Sequence, residues 1–331
     1  MGDLIVQTAA LAALRRAFPT AHIVMLCEER ITVALSTTPD VNEVWGIPFA
    51  AAKAARGLSG VWRKTVLLFA SAWRIRRAHF TRVLVTDYSD KACLWAFFSG
   101  AKIRGGLAHQ SMSSLLNRRL SEREGSGDYI DFYLKLAHLV GGTGNSRRTV
   151  FPLPHETPLA QKLIPGINPF YFAIHPGASV PEKRWPAENW ARLITEILKQ
   201  KKAAQFVLVC GPGETPLCEA IIASADKALR RRITLFAERP LVETARVLSQ
   251  ARLVFCLDSA SRHLAAAIGV PSISLMAQWI LPTWGLYSET DAHFILAADV
   301  PRDSYEISSI SVREVMALFT RAMKRVRGKS P

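Results

Sequence analysis

LVFCLDSASRHLAAAIGVPSISLM, residues 253–276, passes from an apolar β-rich run through an acid and small residues into a helical pattern, then back into a second apolar run. The same alternation extends upstream. Short β-rich runs at Phe172 to His175, Gln205 to Val209 and Ile233 to Phe236 are separated by helical patterns at Ala187 to Lys199, Pro216 to Ala223 and Val242 to Gln250. Strand and helix in strict alternation predict a parallel sheet covered on both faces. A looser version fills the first half, with strands at His22 to Cys27 and Arg82 to Thr86 and helices at Leu4 to Phe18 and Val61 to His79. The expected fold class is α/β, with two Rossmann-like, doubly wound domains facing a cleft and ligands beyond the carboxyl ends of the strands.

Between them, residues 151–169 read FPLPHETPLAQKLIPGINP, with five prolines and no sustained periodicity. This segment is read as the linker, which divides the chain into an N-terminal domain, 1–150, and a C-terminal domain, 170–331. A chain of 331 residues that is 49% hydrophobic has material for two such cores. It shows no short-period repeat and no low-complexity tract.

Five scattered cysteines without a CxxC pair fit a reducing compartment and offer no zinc or redox motif. The apolar run from Thr65 to Trp73 is far short of a bilayer span, and the uncharged run from His263 to Tyr287 is broken by Gly269, Pro271 and Pro282. At the start, Asp3 precedes the apolar residues and Arg15 and Arg16 follow them, unlike a secretory leader.

Net charge is +15, and between Glu43 and Asp87 there are eight Lys or Arg and no acid. An anionic partner is expected. Nucleic acid is not, because no zinc-finger spacing or RNA-binding aromatic motif is present. The cations interleave with Trp62, Leu67, Leu68, Phe69, Trp73 and Ile75. That pattern fits an amphipathic helix on an anionic membrane surface, and equally an ordinary helix with one face in the core and solvated arginines.

Three segments carry candidate chemistry, each directly after a strand. In Leu257-Asp258-Ser259-Ala260-Ser261-Arg262-His263, small residues open a helix whose unpaired first-turn N–H groups favour a pyrophosphate. His263 adds a donor one turn in, although Asp258 or Ser259 also suits a plain helix cap. In Ile174-His175-Pro176-Gly177-Ala178-Ser179-Val180-Pro181-Glu182-Lys183-Arg184-Trp185-Pro186, Ser179 and Lys183 offer a hydroxyl and a point charge to a phosphate. Cys210-Gly211-Pro212-Gly213-Glu214 is a tight turn whose acid suits a ribose; as a bare pattern it is only a turn.

In this order and spacing the three segments resemble glycosyltransferase family 9, the ADP-heptose:lipopolysaccharide heptosyltransferases, whose C-terminal domains carry HPGAS...KRWP, GGPGE and DTGxxHLAAALG.P segments. Nearer the start, Met1-Gly2-Asp3 followed by Thr8 to Pro19 resembles the family's GD...TTPALRALRRxxP opening, and Ser99 to Gly106 its SGAKxRIGF turn. The resemblance implies a GT-B fold, an N-terminal domain that takes the acceptor and a C-terminal domain that binds the nucleotide sugar. It implies inverting transfer of heptose from ADP-heptose to the inner core of a lipid A-core acceptor, in the cytoplasm and peripheral to the inner face of the cytoplasmic membrane.

Carried over by position, Asp3 matches the acid proposed as catalytic base, Ser179 and Lys183 the diphosphate contacts, and Glu214 the ribose contact. Asp258, Ser259, Ala260 and His263 match the segment around the donor's phosphates and sugar. Two departures stand out. Ala260 replaces the family's glycine, and the family opens with a strand ahead of its GD motif, which here lies at residue 2. An N-terminal sheet without its first strand is therefore expected, and with it either a start upstream of Met1, the favoured reading, or a shortened copy.

Inverting transfer needs a carboxylate within reach of the attacking hydroxyl, the role given to Asp3. Charge building on the departing ADP would be met by Lys183 and the helix behind Ser259, with no metal or cofactor, since no His or carboxylate cluster has ligand spacing. A nucleotide-dependent oxidoreductase would need a GxGxxG after a strand with an acid about 20 residues on, and no such segment is present. A non-catalytic anion- or membrane-binding homologue, or a transferase using another nucleotide sugar, stays open.

Overall fold

The computed structural model describes residues 1–35, 38–48, 57–108, 111–121, 127–285, 287 and 292–327. The chain divides into two compact units, residues 3–149 and 150–331.

The first unit opens with α1 (Gly2–Ala17), continues through β1 (Val24–Glu28) and β2 (Glu43–Ile47), and then α2 (Gly57–Arg77). β3 (Arg82–Leu84), α3 (Asp90–Phe98), β4 (Ile103–Leu107), β5 (Arg118–Leu120) and α4 (Tyr129–Leu139) follow. All strand pairs are parallel, and among the described residues they form two separate sheets, β1-β2 and β3-β4-β5. α1 forms because Leu and Ala dominate it, with Asp3 in its first turn and Arg15 and Arg16 in its last, each opposing the adjacent end of the dipole. The Gly2-Asp3 pair thus lies in the first turn of this helix. Arg15 then ties the helix end down, donating to the Ala21 carbonyl at 2.6 Å and to Asn42 Oδ1 at 2.6 Å.

Of the stretch Ser99 to Gly106, likened to a turn, residues from Ile103 on belong to the strand β4. Two glycines masked the pattern, and packing explains them: a Cβ on Gly105 would lie 2.7 Å from Val140 Cγ1, and one on Gly106 2.7 Å from Leu116 Cδ1. The basic helix α2 seats Ile75, Leu68 and Ala72 against Trp45 and Trp95.

The second unit begins in the proline-rich segment, which is fastened rather than free. Phe151 N–H donates to the Ala267 carbonyl at 3.3 Å, Arg246 donates to the Pro154 carbonyl at 3.0 Å, and a short helix, α5 (Ala160–Leu163), donates from Ala160 N–H to Gln250 Oε1 at 2.7 Å. The segment read as a linker packs on the C-terminal unit because Phe151, Ile164 and Ile167 are buried there.

Beyond it run β6 (Tyr171–His175), α6 (Ala187–Gln200), β7 (Gln205–Cys210), α7 (Thr215–Ser224), β8 (Ile233–Ala237) and α8 (Leu241–Ser249). β9 (Val254–Leu257), α9 (Ala260–Ala267), β10 (Ser272–Ala277), α10 (Leu281–Trp284), β11 (His293–Ala298) and α11 (Val312–Arg327) complete it. The sheet is parallel throughout, in the order β11-β10-β9-β6-β7-β8. The alternation read from the sequence stops at β10; β11 and α11 extend it. Phe319 of α11 closes over Phe172 and Phe255, with ring centroids 5.4 and 5.9 Å apart.

Candidate active site

In the second unit the chain lays down β6, β7 and β8 in one direction, then returns to the other side of β6 with β9. The loops after β6 and β9 therefore diverge, and the crevice between them is where an open parallel sheet binds ligands. Lys183 leaves the first loop and Asp258 the second, and their side chains meet: Lys183 Nζ donates to Asp258 Oδ2 at 2.7 Å. Lys183 lies in a single helical turn, Pro181–Lys183, anchored by the next aromatic. Trp185 is fully buried, donates from Nε1 to the Ile310 carbonyl at 2.9 Å and meets Trp190 edge-on at 4.9 Å. The Lys183 ammonium also stands 4.5 Å from the Tyr305 ring centroid.

Asp258 faces a second cation. Arg262, 2% exposed, holds its guanidinium 4.0 Å from Asp258 Oδ1 and donates to the Trp284 carbonyl. One carboxylate between two cations leaves this cluster net positive, since arginine stays charged in proteins. Ser259 is the N-cap residue of α9 yet makes no capping bond; its hydroxyl pairs with that of Ser261 at 2.8 Å. Ala260 is the first helical residue, so the first-turn N–H groups behind it face the crevice end of β9.

His263 is 4% exposed and stacks near Trp284 and Tyr287, with centroids 5.4 and 6.0 Å away and Nδ1 3.4 Å from the Tyr287 hydroxyl. Burial, reinforced by the neighbouring Arg262 charge, pushes its pKa well below the usual histidine value. It is a neutral ring, suited to one directed hydrogen bond and not to holding charge.

On the other side of β6, Glu214 is the N-cap residue of α7, and its Oε2 accepts the Gly211 N–H at 2.9 Å. His175, at the end of β6, places Nε2 3.4 Å from the same oxygen. That hydrogen bond, with smaller pulls from the Gly211 N–H and Arg184, lowers the carboxyl's pKa. The carboxylate lies over Gly177, where a Cβ would come within 2.1 Å of Oε1, so a side chain there would push the carboxylate aside.

The structure thus gathers Lys183, Asp258, Ser259, Ala260 and His263 at one side of the crevice mouth and Glu214 at the other. Ser179 is exposed in the loop after β6. Asp3 is exposed in the first turn of α1, in the other unit. Three contributors went unread in the sequence: Arg262, His175 and Glu238, whose Oε1 accepts from Gly213 N–H at 3.3 Å and the Thr215 hydroxyl at 3.0 Å. His175 was visible at the strand's end. Arg262 and Glu238 carried no local signal.

A family model described as glycosyltransferase family 9 (heptosyltransferase) matches residues 69–305. The chain belongs to that family. It is therefore a glycosyltransferase. The chain is 26% identical over 314 residues to lipopolysaccharide heptosyltransferase 3 of Escherichia coli strain K12, covering 88% of this chain and 84% of that one. Lipopolysaccharide heptosyltransferase 2 of the same strain is 24% identical over 291 residues, 83% of this chain and 79% of the other. Among solved structures, a family 9 member from Veillonella parvula superposes with TM-score 0.81 at 18% identity, covering 99% and 94% of the two chains. The E. coli ADP-heptose heptosyltransferase II gives 0.79 at 18% identity, with 98% and 96% covered. The fold is GT-B, as in these solved structures.

Proposed function

We propose that this family 9 transferase moves heptose from ADP-heptose to the inner core of lipopolysaccharide with inversion, working in the cytoplasm at the inner face of the cytoplasmic membrane. The observation that carries the donor assignment is the net positive Lys183-Asp258-Arg262 cluster beside the N-terminus of α9. A diphosphate placed there meets fixed charge and unpaired N–H groups, and the same groups stabilise the charge that builds as ADP departs. Neither a metal nor a cofactor is assigned. An E. coli heptosyltransferase of the same fold was solved with ADP and with ADP-2-deoxy-2-fluoro heptose, which supports this donor class.

Roles follow from chemistry. Lys183, with Ser179, contacts the diphosphate, and Asp258 orients the lysine. Glu214 accepts from the ribose hydroxyls, for which its ionised state suits it. His263, neutral and walled by Trp284 and Tyr287, offers a hydrogen bond to the donor sugar. Asp3 is the general base for the acceptor hydroxyl.

The test is turnover of ADP-heptose with a set of truncated lipopolysaccharide acceptors, products identified by mass spectrometry. A mass gain of one heptose on an inner-core acceptor is expected. Transfer from another ADP- or UDP-sugar alone would overturn the donor assignment.

A further inference from the structure

Among the described residues no helix is long and apolar enough to cross a membrane. α2 nevertheless leaves much of its apolar surface in water. Trp62, Val66, Phe69 and Trp73 are 69, 45, 66 and 64% exposed. Their spacing, i, i+4, i+7 and i+11, places all four along one line on the helix surface, so they form a continuous ridge and not scattered exposed residues. Among the described residues the fold does not use this ridge. Leu68, Ala72 and Ile75 already attach the helix to Trp45 and Trp95, and Trp95 Nε1 donates to the Leu68 carbonyl at 3.0 Å.

The charges around the ridge have one sign. Residues 57–77 contain Arg63, Lys64, Arg74, Arg76 and Arg77 and no acid. All five cations are exposed, and the Arg77 guanidinium stands 5.6 Å from the Trp73 ring. At the far end, Arg76 donates to the Ser99 carbonyl at 3.3 Å, beside α3, whose last residues Phe97 and Phe98 are also exposed.

We propose that this face of α2 docks on an anionic lipid surface, with Trp62, Val66, Phe69 and Trp73 entering the headgroup layer and the flanking cations meeting lipid phosphates. Tryptophan and phenylalanine on one line with arginines beside them match the two demands of such an interface, apolar burial at shallow depth and attraction to surface charge. A second copy of this chain fits poorly, because two such faces would bring like charges together. The inference rests on the proposed function only for its purpose, since a lipid-linked acceptor lies at such a surface.

The full chain is mixed with vesicles of phosphatidylcholine alone and of phosphatidylcholine with phosphatidylglycerol, the latter also with brominated acyl chains. Expected are flotation with the anionic vesicles only, loss of binding as salt rises, and quenching of tryptophan emission by the brominated lipid. The variant W62S/F69S/W73S changes exposed residues, so it should keep its circular dichroism and its turnover on a lipid-free oligosaccharide acceptor while vesicle affinity falls on the order of 100-fold. R63Q/K64Q/R77Q should lower affinity and flatten the salt dependence. Equal flotation with neutral vesicles, unquenched emission, full binding by the ridge variant, or conversion of a dimer to a monomer by that variant would each overturn the proposal. Vesicle binding with no heptose transfer supports the docking face and counts against the donor assignment alone.

Discussion

Lys183 and Asp258, 75 residues apart in sequence, meet at 2.7 Å across the switch point of the C-terminal sheet. The pair explains why two loops that belong to different halves of the sheet keep one geometry. The proposed donor role of Lys183 and the stability of the pair can be tested in the same variants. Lys183→Ala should weaken ADP-sugar binding by about 1.5 to 3 kcal/mol, the cost of one charge-assisted contact. Because it leaves Asp258 with one cation fewer, it should also lower the melting temperature. Asp258→Asn on top of it should restore melting temperature and not affinity. Calorimetry with ADP on the three proteins decides the matter, and equal donor affinity in all of them removes Lys183 from the site.

Gly177→Ala tests the Glu214 position without touching Glu214. The added Cβ would lie 2.1 Å from Oε1, and the atom that must yield is the end of a flexible side chain. The fold should survive while the carboxylate swings off the Gly211 N–H and His175. Donor affinity should fall as far as in Glu214→Ala, with melting temperature nearly unchanged. An affinity close to wild type would mean that Glu214 does not touch the donor.

Buried His263 and half-buried His293 should set the acid limit of the C-terminal unit. Burial and Arg262 hold His263 well below the usual value and His293 at about 4. In the unfolded chain both titrate near 6.5, so below that pH the unfolded state holds more protons and folding weakens. Their contribution is complete above about 6.5 and is lost as pH falls toward 4, with a slope of about 1.4 kcal/mol per pH unit for each ring. Denaturant titrations between those limits should show it. His293→Gln should reduce the slope by one proton, and an unchanged slope would assign the effect elsewhere.

The C-terminal sheet was legible because its central strands, β6, β7, β9 and β10, are buried on both faces and its helices carry an apolar stripe. Each expected element from Phe172 to Met276 lies within a residue or two of the observed one. The N-terminal half was harder to read for a physical reason. β3 and β5 are only three residues long, and β4 carries Gly105 and Gly106 where side chains would collide with Val140 and Leu116, so no alternation survives. In the candidate site, the residues proposed to face the phosphates were legible because their segments follow strands. Arg262 was not, because nothing in a helix written ASRHLAAA tells that its arginine is buried against the acid four residues earlier.

Asp3 as general base is the assignment most open to a kinetic test. A base must come within about 3 Å of the hydroxyl it deprotonates, and Asp3 stands exposed in the first turn of α1. Nearby, Tyr133 is buried, and burial followed by the Asp3 charge pushes its phenol above the ordinary tyrosine value, while Gln7 hydrogen-bonds it. The phenol therefore stays protonated across the working range and cannot itself take the proton. Asp3→Asn keeps the size and removes the basicity, so it should lower kcat by roughly 10² to 10⁴ and leave ADP-heptose affinity almost unchanged. Tyr133→Phe should leave kcat within a few-fold of wild type. Full turnover by Asp3→Asn, or a collapse of turnover in Tyr133→Phe with donor affinity intact, would move the base away from Asp3.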